Sequence, residues 1–243
     1  MISQECQKNF YRNPYIIISK ESYQNLTSGN EITFPKDHKQ HFLNVQRIKQ
    51  GSLFFVGNGE GRLLQAILDN GNLVDLVEFP SVIKKQNLIL SQAVIKKKNL
   101  ELVIQKATEC GVSQINLFTA QFSQKQSIKT DRIEQQIKMA AMQSRQLFLP
   151  KVTYYENLKV LVNQGCDNKI TFFGDLYNDE KRLEFNKTSF HYINGPEGGW
   201  HNTELQILKK SFRSMYLGDH VLRSETAAIA ALSVYNFFKA NEG

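Results

Sequence analysis

The sequence predicts an α/β protein in which a strand-rich N-terminal part precedes a longer body of alternating strands and helices. Three observations predict it. Up to about Pro80, short apolar runs are cut by turn residues; after Asn87, runs of strand length alternate with stretches of helical period; and two glycine-containing loops in the last third directly follow strands. The change of pattern sets the expected domains at 1–80 and 81–243, with 80–86 a basic connection that has no periodicity.

Within the first part, strands are expected at 53–56, 63–68 and 73–79, with Asn58-Gly59 and Asn70-Gly71 as hairpin signals, so the region reads as a small antiparallel barrel or sheet. Gly57-Asn58-Gly59-Glu60-Gly61 has the composition of a phosphate-binding loop, but no helical pattern follows it, and a hairpin turn is the better reading. The body opens on a strand at 88–94. Leu100, Val103, Ile104 and Ala107 then form one apolar helix stripe that Gly111 ends. A strand at 115–118 leads to Asp131 and Glu134, spaced as a capping box, ahead of a helix packed through Ile133, Ile137, Ala140, Ala141 and Ser144. Strands at 152–155, 170–173, 191–193 and 215–217 follow, and a helix over about 225–239 closes the chain. This alternation implies a mostly parallel sheet covered on both faces.

The chain has 243 residues and 41% hydrophobic content, enough for a packed core. Thirty Lys and Arg against 23 Asp and Glu leave a net charge of +7, which suits a polyanionic partner. Cys6, Cys110 and Cys166 lie far apart without CxxC spacing, which argues against a zinc site or a disulfide framework and fits a reducing cytoplasm. The polar first ten residues lack a signal core, and no apolar run has membrane-spanning length, so a cytoplasmic protein without a membrane partner is expected. The sequons at Asn25 and Asn186 are then chance matches. His38 and His41 have a ligand-like spacing but no further ligands nearby, and no metal is expected.

The chemistry concentrates in two loops, Gly195-Pro196-Glu197-Gly198-Gly199-Trp200 and Leu217-Gly218 through Leu222-Arg223-Ser224-Glu225-Thr226-Ala227. Ligands of open parallel sheets sit beyond the carboxyl ends of strands, and glycines there let backbone groups approach a ligand closely. Alone, each loop also reads as an ordinary strand-to-helix turn.

Together the two loops resemble the paired signature of the ribosomal RNA small-subunit methyltransferase E family. Weaker matches extend over most of the chain: His41 to Arg47 with Gly51, Lys106 to Val112, and Gln143-Ser144-Arg145. The resemblance implies a PUA-like RNA-binding β-barrel in residues 1–80 and, in 81–243, a SPOUT α/β methyltransferase domain with a deep trefoil knot. It also implies an S-adenosyl-L-methionine cofactor, a homodimer, and methylation of N3 of a uridine in 16S ribosomal RNA, free or in an assembled particle. Gly195, Pro196, Glu197, Gly198, Leu217, Gly218, Leu222, Arg223, Ser224, Thr226 and Ala227 would then form the cofactor cleft.

Because N3 of uridine carries a proton at neutral pH, the site must remove it or stabilise the anion. Arg223 is the candidate for positioning the anionic base and Glu225 for accepting the proton, although Ser224 and Glu225 also suit the start of a helix, and Glu197 suits a role in shaping its loop. Arg12, Arg47, Lys97 and Arg145 are the candidate RNA contacts, with Tyr11, Lys49, Lys96, Lys98 and Lys151 beside them. Departures from the family pattern fall at Gln121 and Phe122, where an acidic-basic pair is usual, at Gln46, at Met142 in place of a glutamate, and at His201 in place of a capping serine. The rival readings are a SPOUT enzyme acting on a ribose 2′-hydroxyl and a non-catalytic RNA-binding protein; a serine hydrolase built on Ser81-Val82-Ile83-Lys84 lacks partner motifs.

Overall fold

The computed structural model describes residues 4–27, 31–33, 49–79, 85–125, 127–167, 170–176 and 185–241. The chain forms two compact units, one from Met1–Lys85 with Ala141–Leu149 and one from Gln86–Ala140 with Pro150–Gly243. The first unit thus takes back a short downstream segment that no single boundary near residue 80 contains.

The first unit holds Gln4–Arg12 (α1), Tyr15–Ile17 (β1), Lys20–Thr27 (α2), Glu31–Thr33 (β2), Leu53–Gly57 (β3), Leu63–Asp69 (β4) and Asn72–Phe79 (β5). The strands form one sheet in the order β1-β3-β4-β5-β2, with β1 parallel to β3 and the other pairs antiparallel. Asn70 and Gly71 both take positive φ, 45° and 79°, the geometry of the tight turn that suits strand twist. Helices α1 and α2 escape the sequence pattern because they are short and mostly polar; the Ser19 hydroxyl accepts from Ser22 N at 3.1 Å at the start of α2. Phe10 from α1 packs edge-on against Tyr15 and Phe55 in the core.

The glycine-rich turn after β3 seats the returning segment. Asn58 Oδ1 accepts from the backbone of Glu60 at 2.8 Å and of Arg62 at 3.1 Å, which shapes the turn. Gly61 N donates to Leu147 O at 3.0 Å and Leu149 N to Gly59 O at 2.8 Å. A Cβ at Gly59 would lie 2.8 Å from Leu149, and one at Gly61 would lie 2.4 Å from Phe148. The run that has the composition of a phosphate loop is therefore a docking strip for the chain's own backbone.

The second unit contains Asn87–Ala93 (β6), Lys97–Glu109 (α3), Gln114–Phe118 (β7), Thr130–Ser144 (α4), Lys151–Tyr155 (β8), Leu158–Gly165 (α5), Thr171–Gly174 (β9), Ser189–Asn194 (β10), Asn202–Ser211 (α6), Arg213–Met215 (β11) and Ser224–Asn241 (α7). Ala141 and Met142, near the end of α4, lie in the core of the first unit. The six strands are all parallel, in the order β11-β9-β10-β6-β7-β8. The last strand ends two residues earlier than the apolar pattern predicts, because its partner β9 ends at Gly174, which pairs with Met215. Tyr216 and Leu217 pass into the following loop. Helix α5, which the sequence reading passes over, is capped by Asn157 Oδ1 accepting from Val160 N at 3.0 Å.

A polar chain crosses the middle of this sheet. His191 Nε2 lies 2.7 Å from Ser91 Oγ and its Nδ1 3.1 Å from Thr171 Oγ1, while Asn116 Nδ2 donates to Ser91 Oγ at 3.0 Å. Burial disfavours the imidazolium and lowers the His191 pKa to about 3, against a smaller opposing effect of Asp167. Unfolded histidine titrates near 6.5, so between these values the unfolded chain binds more protons and stability falls as pH falls. We expect the unfolding free energy to drop by about 1.4 kcal/mol per pH unit below pH ~6 from this residue. Denaturant midpoints measured from pH 7 to 4.5 check this: His191→Gln should show a correspondingly flatter profile, and an unchanged slope would refute the assignment.

Candidate functional site

A cleft of about 750 Å³ opens at the carboxyl ends of β9, β10 and β11. Its size suits a small organic ligand, and it lies where the strand order turns back between β6 and β10, the expected crevice of an open parallel sheet. The loop after β10 and the loop running from β11 into α7 form its walls.

The two loops are tied together under the cleft. Asn194, at the end of β10, donates through Nδ2 to Gln92 Oε1 at 2.7 Å, Ser224 O at 2.8 Å and Ser224 Oγ at 2.9 Å. Gln92 Nε2 donates to Ser224 Oγ at 3.1 Å, and that hydroxyl donates to Gly195 O at 2.6 Å. All three side chains are buried, so this network fixes the start of α7 against the end of β10. Trp200 closes the back: its indole N–H donates to Gly174 O at 2.9 Å, and a Cβ on Gly195 would meet its ring at 3.0 Å. Glu197 accepts from Lys96 N at 3.1 Å, which joins its loop to the one after β6. Gly218 takes φ +120°, a conformation open to glycine.

Two polar atoms on the cleft wall have no hydrogen-bond partner among the described residues, Glu225 Oε2 and Tyr192 OH, and both are buried. Buried polar atoms are rarely left so, and here they point to a ligand that brings its own polar groups. The apolar wall supplied by Pro196, Leu217 and Leu222 beside glycine backbone suits a flat heteroaromatic ring on a polar chain.

Gly195, Pro196, Glu197, Gly198, Leu217, Gly218, Leu222, Arg223, Ser224, Glu225 and Ala227 all line this cleft, so the structure brings both predicted loops to one place. Thr226 is the exception; its side chain is exposed and it is not among the lining residues. Arg223 is exposed at the rim. Asn194 and Trp200, which flank the predicted glycine loop, line the cleft as well. Tyr192 and Gly174 also belong to the site, and the sequence carries no signal for either.

Of the predicted RNA contacts, Arg12 is exposed at the end of α1 and Lys97 is exposed at the start of α3. Arg145 is different. Its guanidinium donates to Met142 O at 2.9 Å and to Asn13 O at 2.7 Å, half-buried, so it ties backbone within the first unit instead of presenting to a phosphate. Burial lowers its pKa from the ordinary arginine value. Arg47, His38, His41 and Ser81 to Lys84 lie outside the described residues. Among the described residues no group of three or more His, Cys, Asp or Glu is placed to hold a metal ion, and no helix is long and apolar enough to cross a membrane.

Residues 83–236 match the model of the RNA methyltransferase domain family. The ribosomal RNA small subunit methyltransferase E of Mesomycoplasma hyopneumoniae is 33% identical over 79% of this chain and 88% of its own length. That of Rickettsia conorii is 28% identical, over 86% and 90%. The chain belongs to the ribosomal RNA small subunit methyltransferase E family. A crystal structure of the methyltransferase E of Neisseria gonorrhoeae bound to S-adenosyl methionine shares the α/β fold, with a TM-score of 0.77 at 20% identity over 93% of this chain and 98% of that one.

Three of the departures from the methyltransferase E pattern have structural accounts. His201 does the work of the capping serine: its Nδ1 accepts from Thr203 N at 3.3 Å, and Glu204 Oε2 accepts from His201 N at 3.1 Å. Met142 is buried in the core of the first unit, where its thioether packs without a charge to satisfy. Phe122 rests on Gly198 and meets the His201 ring edge-on at 5.8 Å. Gln46 lies outside the described residues.

Proposed function

We propose that this chain methylates N3 of a uridine in 16S ribosomal RNA with S-adenosyl-L-methionine as methyl donor, as a cytoplasmic homodimer acting on the small subunit. The observation that carries this reading is that the two loops matching the family signature, separated in sequence, wall one cleft. Membership of the methyltransferase E family supports it independently. In this reading residues 1–80 form a PUA-like RNA-binding barrel and 81–243 a SPOUT domain with a deep trefoil knot; the mixed sheet of the first unit and the all-parallel sheet of the second agree with it.

The cleft would hold the donor through Gly195, Pro196, Gly198, Leu217, Gly218, Leu222 and Ala227, and when bound the donor supplies an electrophilic methyl carbon. The protein's task is then on the base. Glu225, buried with Oε2 unpartnered at the start of α7, accepts the N3 proton. Arg223 offers its guanidinium to the negative charge that develops on the uracil as that proton leaves. Ser224 positions both by anchoring the helix start to Asn194 and Gln92. Arg12 and Lys97 hold RNA phosphates.

Calorimetric titration with S-adenosyl-L-methionine, followed by tritium transfer to small ribosomal subunits lacking their natural uridine methylation, tests the proposal. Saturable binding with label recovered as 3-methyluridine is the expected result. Label on a ribose would reject the N3 assignment, and absence of donor binding would reject the enzymatic reading.

A further inference from the structure

We infer that Phe122 is a stacking platform for an unpaired nucleobase of the RNA, placed beside the methyl-donor cleft; this rests on the proposed function and adds a substrate contact to it. Phe122 is 46% exposed although it is a large apolar side chain, and it leads a loop that is held firmly. Ser123 N donates to Ala120 O at 3.0 Å, and Ala120 N to Ser123 Oγ at 2.9 Å. Gln121 N donates to Glu204 Oε1 at 2.9 Å, and Gln124 N to Val94 O at 3.2 Å. The ring is thus presented to solvent by a fixed backbone, an arrangement that favours binding over packing.

Its position gives it a use. A Cβ on Gly198 would lie 3.0 Å from Phe122 Cβ, so the aromatic sits directly against the loop that lines the cleft, with His201 bracing its edge. The Phe122 loop is bonded through Gln124 and Val94 to the segment between β6 and α3, where Lys96 is exposed, as are Lys97 and Lys98 in the first turn of α3, and Lys125 is exposed three residues on from Phe122. An exposed aromatic face flanked by cations is how unpaired RNA is gripped: phosphates on the lysines and a base on the ring. Stacking tolerates any base, so Phe122 would seat a nucleotide adjacent to the target and leave selection of the uridine to the cleft.

The test uses the full chain and unmethylated small-subunit RNA, with affinity read by fluorescence anisotropy and turnover by tritium transfer. Phe122→Leu keeps apolar cover on Gly198 but removes the π face; it should raise the RNA dissociation constant and KM roughly 10-fold while leaving kcat and donor affinity near wild type. Phe122→Trp should match or tighten wild-type binding. Equal RNA affinity for the leucine and tryptophan variants would overturn the platform, as would a leucine variant with wild-type KM. Loss of donor binding by the wild-type protein would instead defeat the functional reading, while the affinity comparison would still decide the role of Phe122.

Discussion

Arg223→Ala is expected to lower kcat for methyl transfer by roughly 10²- to 10³-fold, the loss typical when one preorganised donor to a developing anion is removed. The fold should not suffer, because the side chain is exposed at the cleft rim. Surface substitutions without buried partners usually change stability by less than about 0.5 kcal/mol. Donor affinity should stay within about five-fold, since an interaction made with the charged base acts on the transition state more than on the ground state. Arg223→Lys should recover part of the rate, as it keeps the charge but not the planar fork. Single-turnover methylation with saturating RNA is the measurement, and a kcat for the alanine variant within about three-fold of wild type would sink the role.

The second large effect is structural. In Asn194→Leu the side chain retains its volume but loses its donors, leaving Gln92 Oε1, Ser224 O and part of the Ser224 hydroxyl's bonding unmet in a buried setting. Each orphaned acceptor costs about 1–3 kcal/mol, so a loss of about 3 kcal/mol and a fall in Tm of roughly 10 °C are expected. Donor binding should weaken with it, because the same bonds hold the two cleft walls together. Asn194→Asp should be worse than leucine, since a carboxylate would face acceptors already lacking donors. Thermal melting with and without S-adenosyl-L-methionine checks both; an aspartate variant as stable as wild type would show that the network does not bind the loops.

Much of this was legible in the residues. Both glycine loops announced themselves because strand-end glycines serve a local need, and the helix stripe Leu100, Val103, Ile104, Ala107 is buried in α3 as its spacing requires. What escaped was set by partners distant in sequence. The end of β11 depends on where β9 stops, and the inward role of Arg145 depends on the carbonyl of Asn13, 132 residues away. Tyr192 looks like any residue of a buried strand until its hydroxyl is found without a partner in the cleft. Thr226 follows the motif in sequence, but it stands exposed on α7 and is not among the residues lining the cleft.

The seat that Gly59 and Gly61 provide for residues 147 to 149 has a consequence for biogenesis. A chain emerging from the ribosome at about 5–20 residues per second exposes the glycine turn several seconds before its partner strip exists. Throughout that interval the turn's backbone groups and the apolar surface meant for Leu147, Phe148 and Leu149 face water. The N-terminal unit is therefore the first to begin folding and cannot be the first to finish. An isolated fragment ending near residue 85 should behave as a loosened, aggregation-prone species, whereas one carrying the chain through Leu149 supplies its missing edge.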